Sequence, residues 1–268
     1  MGNNNQFILA STLHDPNKRL ENLIKKVLPE LHNLFLQKII CYTPETNKDI
    51  IDLLETNDFK LISSPSMKQI DTYKQVLKNS IHIIENPLTE KIFYSDFDRF
   101  LHWFYSYPNE LKEVFLKYNN QEYYHIGRTK RAFAFHPPTQ AYTEGIVNKI
   151  GSKILEFSEI RDIISVCYII NKRLAEKILT IEHITKTGFY GTWPILFWKW
   201  ANSTHYIEVE GLEWETADQY ETEIKSEGYQ KWLSKFQSQE EWIKRIKLLE
   251  DCLIELSQLI KFEFIKGI

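Results

Sequence analysis

The sequence predicts an α/β fold: one continuous domain with a mostly parallel central sheet and a long C-terminal helix. Three observations carry this. Short apolar, β-prone runs alternate with stretches of helical periodicity through the first hundred residues, as in parallel sheets with right-handed crossovers. With 9 Gly and 9 Pro in 268 residues, no Gly/Pro/Ser-rich linker divides the chain. From Ser238 onward, Trp242, Ile246, Leu249, Cys252, Leu253 and Leu256 fall on one stripe of a long helix, opened by a Ser238/Glu241 capping box.

The elements follow in order. Phe7–Ser11 reads as a buried strand, and Leu20 to Phe35 recurs at three- and four-residue spacing, an amphipathic helix that Pro29 kinks or restarts. Lys38–Tyr42 is the second strand, Asp49–Leu54 a short helix and Phe59–Ser63 the third strand. A helix over Lys68–Ile81 leads to the fourth strand, Lys91–Ser95. Further on, Glu122–Ile126 and His205–Val209 read as strands, and Asp162–Ile170 as a strongly β run. Helices are predicted over Thr139–Leu155, after the N-cap Asn171, and over Trp193–Trp200 with Pro194 in its first turn.

Composition excludes several classes. Thirty-three Lys+Arg against 36 Asp+Glu give a formal charge of −3, so no basic excess draws the chain to nucleic acid or an anionic membrane. Cys41, Cys167 and Cys252 form neither a disulfide framework nor a Cys-x-x-Cys metal site, which suits a reducing, cytoplasmic setting. The first residues, MGNNNQFILASTLHDP, lack a basic leader, and no run approaches the ~20 apolar residues of a membrane span. His14, His102, His125 and His205 make no His-x-x-x-His pair, and neither Gly-x-Gly-x-x-Gly, Gly-x-x-x-x-Gly-Lys nor Gly-x-Ser-x-Gly occurs. The oligomeric state is silent in the sequence.

The most informative segment is Tyr94-Ser95-Asp96-Phe97-Asp98-Arg99. An apolar strand runs into two carboxylates spaced i, i+2, where parallel sheets hold their ligands. If the chain stays extended there, both carboxylates project to one side. Such a pair repels unless a cation joins it, and hard oxygen ligands suit Mg²⁺ or Mn²⁺, which in turn grips a diphosphate. Arg128, Lys130 and Arg131 form the densest basic cluster, able to neutralise a diphosphate leaving group or simply to line a charged turn. Gly188-Phe189-Tyr190-Gly191-Thr192-Trp193-Pro194 reads as an aromatic loop, with Tyr190 and Trp193 the candidates for an acceptor pocket. In the acidic stretch after Val209, Glu213, Glu215 and Asp218 are candidate bases for an acceptor hydroxyl.

A strand ending in Asp-x-Asp after about three βα units resembles the nucleotide-sugar-dependent glycosyltransferases of the GT-A fold. The resemblance spans about residues 6–210 and implies a single Rossmann-like domain over 1–268. Residues to about 126 would form its nucleotide-binding half, 127 to about 230 its acceptor side, and about 238–262 the C-terminal helix. It implies Asp98 as metal ligand, with Asp96 contacting metal or ribose. The loop Ser11–Asp15, with Thr12 and His14, would cup base and ribose, and His205 would be a late third metal ligand. The implied substrates are a nucleotide-sugar donor and an acceptor whose identity the sequence does not give. The Arg-Trp pair of processive members and a clear Glu-Asp pair are absent. Two other readings stand beside this one: a non-catalytic GT-A-like binding module, and a haloacid-dehalogenase-like phosphohydrolase using Asp96 and Asp98.

Overall fold

A computed structural model describes residues 6–31, 34–182, 184 and 186–266, with side chains to residue 261. The first half is built from β1 (Phe7–Leu13), α1 (Glu21–Leu31), β2 (Gln37–Tyr42), α2 (Lys48–Glu55), β3 (Lys60–Ser63), α3 (Gln69–Ile83), β4 (Lys91–Tyr94), α4 (Phe97–Ser106) and α5 (Pro108–Lys117). Then come β5 (Tyr123–Arg128), α6 (Lys130–Ala134), α7 (Pro138–Ile154), β6 (Tyr168–Ile170), α8 (Lys172–Leu179), α9 (Phe189–Trp200) and β7 (Thr204–Val209). A 3₁₀ segment over Glu215–Tyr220 precedes α10 (Glu221–Glu227), α11 (Tyr229–Lys235) and α12 (Gln239–Lys266).

The strands form one sheet in the order β3-β2-β1-β4-β6-β5-β7. All neighbours are parallel except β6, which runs antiparallel to both β4 and β5. The predicted α/β class and mostly parallel sheet are therefore observed. Alternation within a strand sends successive side chains to opposite faces. Leu9, Ile40 and Phe93 pack under α1, α4 and α5, while Ile8, Ala10, Ile39 and Ile92 face α3, α8 and α9. The final helix lies on α7 and α9, joined by Val147, Ile163, Ile195, Cys252 and Leu256. Ser238 Oγ accepts from the Glu241 N–H at 3.3 Å, one half of the expected capping box.

Several expectations change. The helix α1 carries Pro29 in its exposed last turn and stops at Leu31; Leu34 and Phe35 lie past it, and residues 32 and 33 fall outside the described residues. The run Asp162–Ile170 pairs as strand only over Tyr168–Ile170. Before that, Asn148 Oδ1 accepts from the N–H groups of Ile163 and Ile164 at 2.7 and 3.1 Å, and Val166 takes φ +56°. A side chain and a turn use the backbone there, so no ladder forms. The segment expected to be a loop before Pro194 is the first turn and a half of α9, with Pro194 inside the helix. No helix among the described residues is long and apolar enough to cross a membrane.

Candidate active site

Because β1, β2 and β4 are parallel neighbours, their carboxyl ends open on one edge of the sheet. There a cleft of about 310 Å³ is lined by Thr12 and His14 from β1 and its loop, Thr43 after β2, and Asp96 and Asp98 after β4. Tyr73 of α3 and Tyr190 of α9 close one side, and Thr216, Gln219 and Tyr220 of the 3₁₀ segment close the other.

Both carboxylates reach this cleft, by a geometry other than the extended chain expected. Asp96 is the residue before α4, and Asp98 sits in that helix's first turn. Asp96 Oδ1 accepts hydrogen bonds from Tyr73 OH at 2.5 Å, Thr12 Oγ1 at 2.8 Å and Tyr94 OH at 3.2 Å. Asp98 Oδ1 accepts from the Arg99 N–H at 2.9 Å, and Oδ2 from Gln219 Nε2 at 3.0 Å. Burial raises the Asp98 carboxyl to about 7, and the nearby Glu215 and Asp96 carboxylates add to the rise. Glu215 lies below its ordinary value although burial opposes this, because the Arg99 guanidinium stands beside it.

His14 stands exposed at the cleft mouth, with Nδ1 2.7 Å from Thr43 Oγ1. Tyr220 lines the cleft with one face covered by Arg19, whose guanidinium carbon is 3.8 Å from the ring centroid. On the far side of Asp96 and Tyr190, a second cavity of about 250 Å³ takes in Arg99, Gln140, Glu144, Glu215 and Arg245. Of the three candidate bases, Glu215 alone lines the second of these cavities, and none lines the first.

The other expected site residues are placed elsewhere, each for a physical reason. Arg128 is buried and bound twice to Asp162, through Nε at 2.6 Å and Nη2 at 2.9 Å, with Nη2 also 2.8 Å from Glu144. Its charge is consumed by the core. Lys130 is an exposed residue of α6, and Arg131 pairs on the surface with Glu210 at 2.5 Å and Glu213 at 2.6 Å. Glu213 also accepts from Tyr107 OH at 2.9 Å, and Asp218 Oδ2 lies 2.6 Å from His102 Nδ1. Those partners turn both carboxylates away from the cleft. His205 is the second residue of β7, which is parallel to β5; it therefore sits at the sheet edge opposite the one where Asp96 follows β4. It is exposed, with its ring 4.9 Å from Tyr124. Trp193 is 1% exposed and packs against Phe189, Tyr73 and Phe197, a core residue rather than an acceptor platform.

Sequence reasoning missed Tyr73, Gln69, Thr43, Gln219 and Tyr220, which lie on three separate segments. Arg99 was in view beside the Asp pair, but nothing in its spacing showed that it enters a second cavity. Among the described residues, no group of three or more His, Cys, Asp or Glu side chains is arranged to hold a metal ion.

No family model matches the chain, and no curated protein matches it in sequence. Solved structures do match. Two are of glucosyl-3-phosphoglycerate synthase from Mycobacterium tuberculosis, one in complex with uridine diphosphate and one with Mn²⁺, UDP-glucose and glycerol 3-phosphate. Each covers 76% of this chain and 70% of its own, with a TM-score of 0.50, at 10% and 9% identity respectively. The sheet and its flanking helices are thus those of the GT-A fold.

Proposed function

We propose that the chain is a nucleotide-sugar-dependent glycosyltransferase. One observation carries the reading: two carboxylates from a single Asp-x-Asp, Asp96 and Asp98, line one cleft at the carboxyl ends of β1, β2 and β4. Carboxylate oxygens are the donors that Mg²⁺ and Mn²⁺ prefer. Those ions typically take one or two carboxylates and complete their shell with water and substrate phosphates, so a site without a third protein ligand fits them. One of the two similar structures is a complex with Mn²⁺ and UDP-glucose, in support of a divalent metal and a nucleotide-sugar here.

In this reading Asp98 would hold the metal and Asp96 would stand at its side, oriented by Tyr73, Thr12 and Tyr94. A bound metal would supply positive charge against the diphosphate leaving group. Thr12 and His14 would face the ribose and base, with the Tyr220 ring as a further flat surface. Glu215, kept ionised by Arg99, would take the proton of the acceptor hydroxyl. Tyr190, half-buried between the two cavities, would border the acceptor. A phosphohydrolase of the dehalogenase type ends its first strand with the nucleophilic Asp, whereas Asp96 follows the fourth.

Thermal-shift titration with Mn²⁺ and UDP, GDP, ADP or CDP tests the reading. A ligand that binds only the folded chain stabilises it by about 2.7 kcal/mol at a hundredfold excess over Kd. One diphosphate should raise the melting temperature only with metal, and Asp98→Ala should abolish the response. No shift with any diphosphate, with or without metal, sinks the assignment.

A further inference from the structure

The long final helix carries a second stripe, on the side away from the core. At about 100° per residue, Ile243, Lys247, Glu250 and Ile254 of α12 fall within about 30° of one line. Cys252 points the opposite way, buried against Gly191 of α9. Ile243 and Ile254 are 49% and 41% exposed. Lys247 and Glu250 are exposed as well, and among the described residues neither makes an ion pair within the chain.

On the flank of this line that faces α7, Ile246 and Leu253 are exposed. The same flank holds Trp242, stacked on the exposed Tyr142 of α7 with ring centroids 6.3 Å apart. Single apolar side chains on a surface are ordinary, whereas a run of them along two adjoining helices marks a contact surface.

The order of residues along the stripe says what covers it. Isoleucine, lysine, glutamate and isoleucine follow one another at spacings of four, three and four. Read from the other end, the isoleucines and the spacings repeat and the two charges exchange sign. Two antiparallel copies of α12, with a two-fold axis midway between residues 248 and 249, therefore set each Ile243 against an Ile254. Each Lys247 then meets a Glu250. The axis keeps the apolar flanks on one side, so Ile246 and Leu253 of the two copies come together. Charges beside an apolar seam set partner and orientation in helix pairs, and a self-complementary patch is what an isologous dimer needs. A parallel pair would face Lys247 with Lys247 and Glu250 with Glu250. An anionic membrane would meet Glu250 in the middle of the stripe.

We propose that the outer face of α12 is a self-association surface, on which a second copy of this chain docks antiparallel through Ile243, Lys247, Glu250 and Ile254.

Sedimentation velocity on the full chain tests this, at concentrations up to about 100 μM, which registers a Kd in the micromolar range. The wild type should pass from monomer to dimer as concentration rises, and Ile254→Asp should remain monomeric. Lys247→Glu and Glu250→Lys should each weaken the dimer about tenfold, because two opposite-charge contacts become like-charge contacts. All three positions are exposed, so the far-ultraviolet circular dichroism of each variant should match the wild type.

Two further samples read the register. The double variant Lys247→Glu/Glu250→Lys should dimerise as the wild type does. An equimolar mixture of the two single charge variants should form a heterodimer, although neither pairs well with itself. A chain that stays monomeric throughout overturns the proposal, including one that instead sediments with phosphatidylglycerol vesicles. A dimer indifferent to the single charge variants, or not restored in the double variant, overturns it as well.

Discussion

Gln219 Nε2 donates a hydrogen bond to Asp98 Oδ2 across 3.0 Å, joining the first turn of α4 to the 3₁₀ segment 121 residues later. That segment is tied to the other rim of the cleft by Arg19, which stacks on Tyr220 and pairs with Glu223 at 2.9 Å. The amide therefore engages the carboxylate that a metal–diphosphate would need. Gln219→Ala should tighten metal-dependent diphosphate binding by about tenfold, the equivalent of one hydrogen bond of about 1.4 kcal/mol. Calorimetric titration of wild type and variant decides it; weaker binding in the variant would make Gln219 a ligand contact instead.

Asp98 also sets a trade between stability and binding. Its carboxyl is raised to about 7 in the folded chain, above the ordinary 3.8. The protonated form suits the fold, so the stability it contributes is full below about pH 4 and is lost as pH rises through 7. Asp98→Asn keeps the shape and removes the ionisation. At pH 8 without metal it should be more stable than the wild type by about 2 kcal/mol, less than the full 1.4 kcal/mol per pH unit because the carboxylate meets cleft water. Denaturant melts at pH 4.5 and pH 8 check this: the difference should be clearly smaller at the lower pH.

The scaffold was legible where the apolar pattern alone decides structure. The strands Phe7–Leu13, Gln37–Tyr42 and Lys91–Tyr94 are buried apolar runs, and α3 and α12 carry one apolar stripe each. Asp96 and Asp98 were found because a strand that ends in two carboxylates is unusual chemistry in a short window. Arg128 misled because a basic cluster looks the same in sequence whether it faces solvent, phosphate or buried acids. Its partners Asp162 and Glu144 are 34 and 16 residues away. The second cavity draws on α4, α7, the 3₁₀ segment and α12, a convergence that only the packing of the final helix creates. No local spacing records it.

The acid side of the stability curve should be set by buried imidazoles. Burial holds His125 down to about 4 and His136 to about 3, Arg128 adding to the effect in both. His136 Nε2 lies 3.2 Å from Arg128 Nη1, so a proton there would meet a fixed cation. A depressed pKa means stability that is present above the unfolded value of 6.5 and lost as pH falls toward the folded one. Asp162, held at about 2 by Arg128 although burial opposes it, adds a loss only below pH 4. His102, raised by its bond to Asp218 against the pull of burial, acts the other way and loses its contribution above 6.5. The melting temperature should fall steadily from pH 6.5 to 4, and His136→Gln should flatten that fall. An equally steep fall in the variant would assign the acid sensitivity to other groups.

Gly211 fixes where the 3₁₀ segment begins. A Cβ built there would stand 1.7 Å from Trp103 Cδ1 and 2.3 Å from its Nε1, so the indole occupies the space a side chain needs. Trp103 is fully buried and donates Nε1 to Glu110 Oε2 at 2.8 Å. Glu110 in turn accepts from the Glu210 and Gly211 N–H groups at 2.8 and 2.9 Å. One carboxylate thus pins both the indole and the turn that leads to Glu215 and Gln219. Gly211→Ala must displace the turn or the indole, and overpacking of this kind costs about 1–3 kcal/mol. Because the displaced turn leads to Gln219, which contacts Asp98 in the cleft, the variant should change metal-dependent diphosphate binding by more than its stability loss explains at a temperature where it remains folded. Melting curves and binding titrations on the same preparation separate the two effects, and an unshifted melting temperature would show that the turn has room to yield.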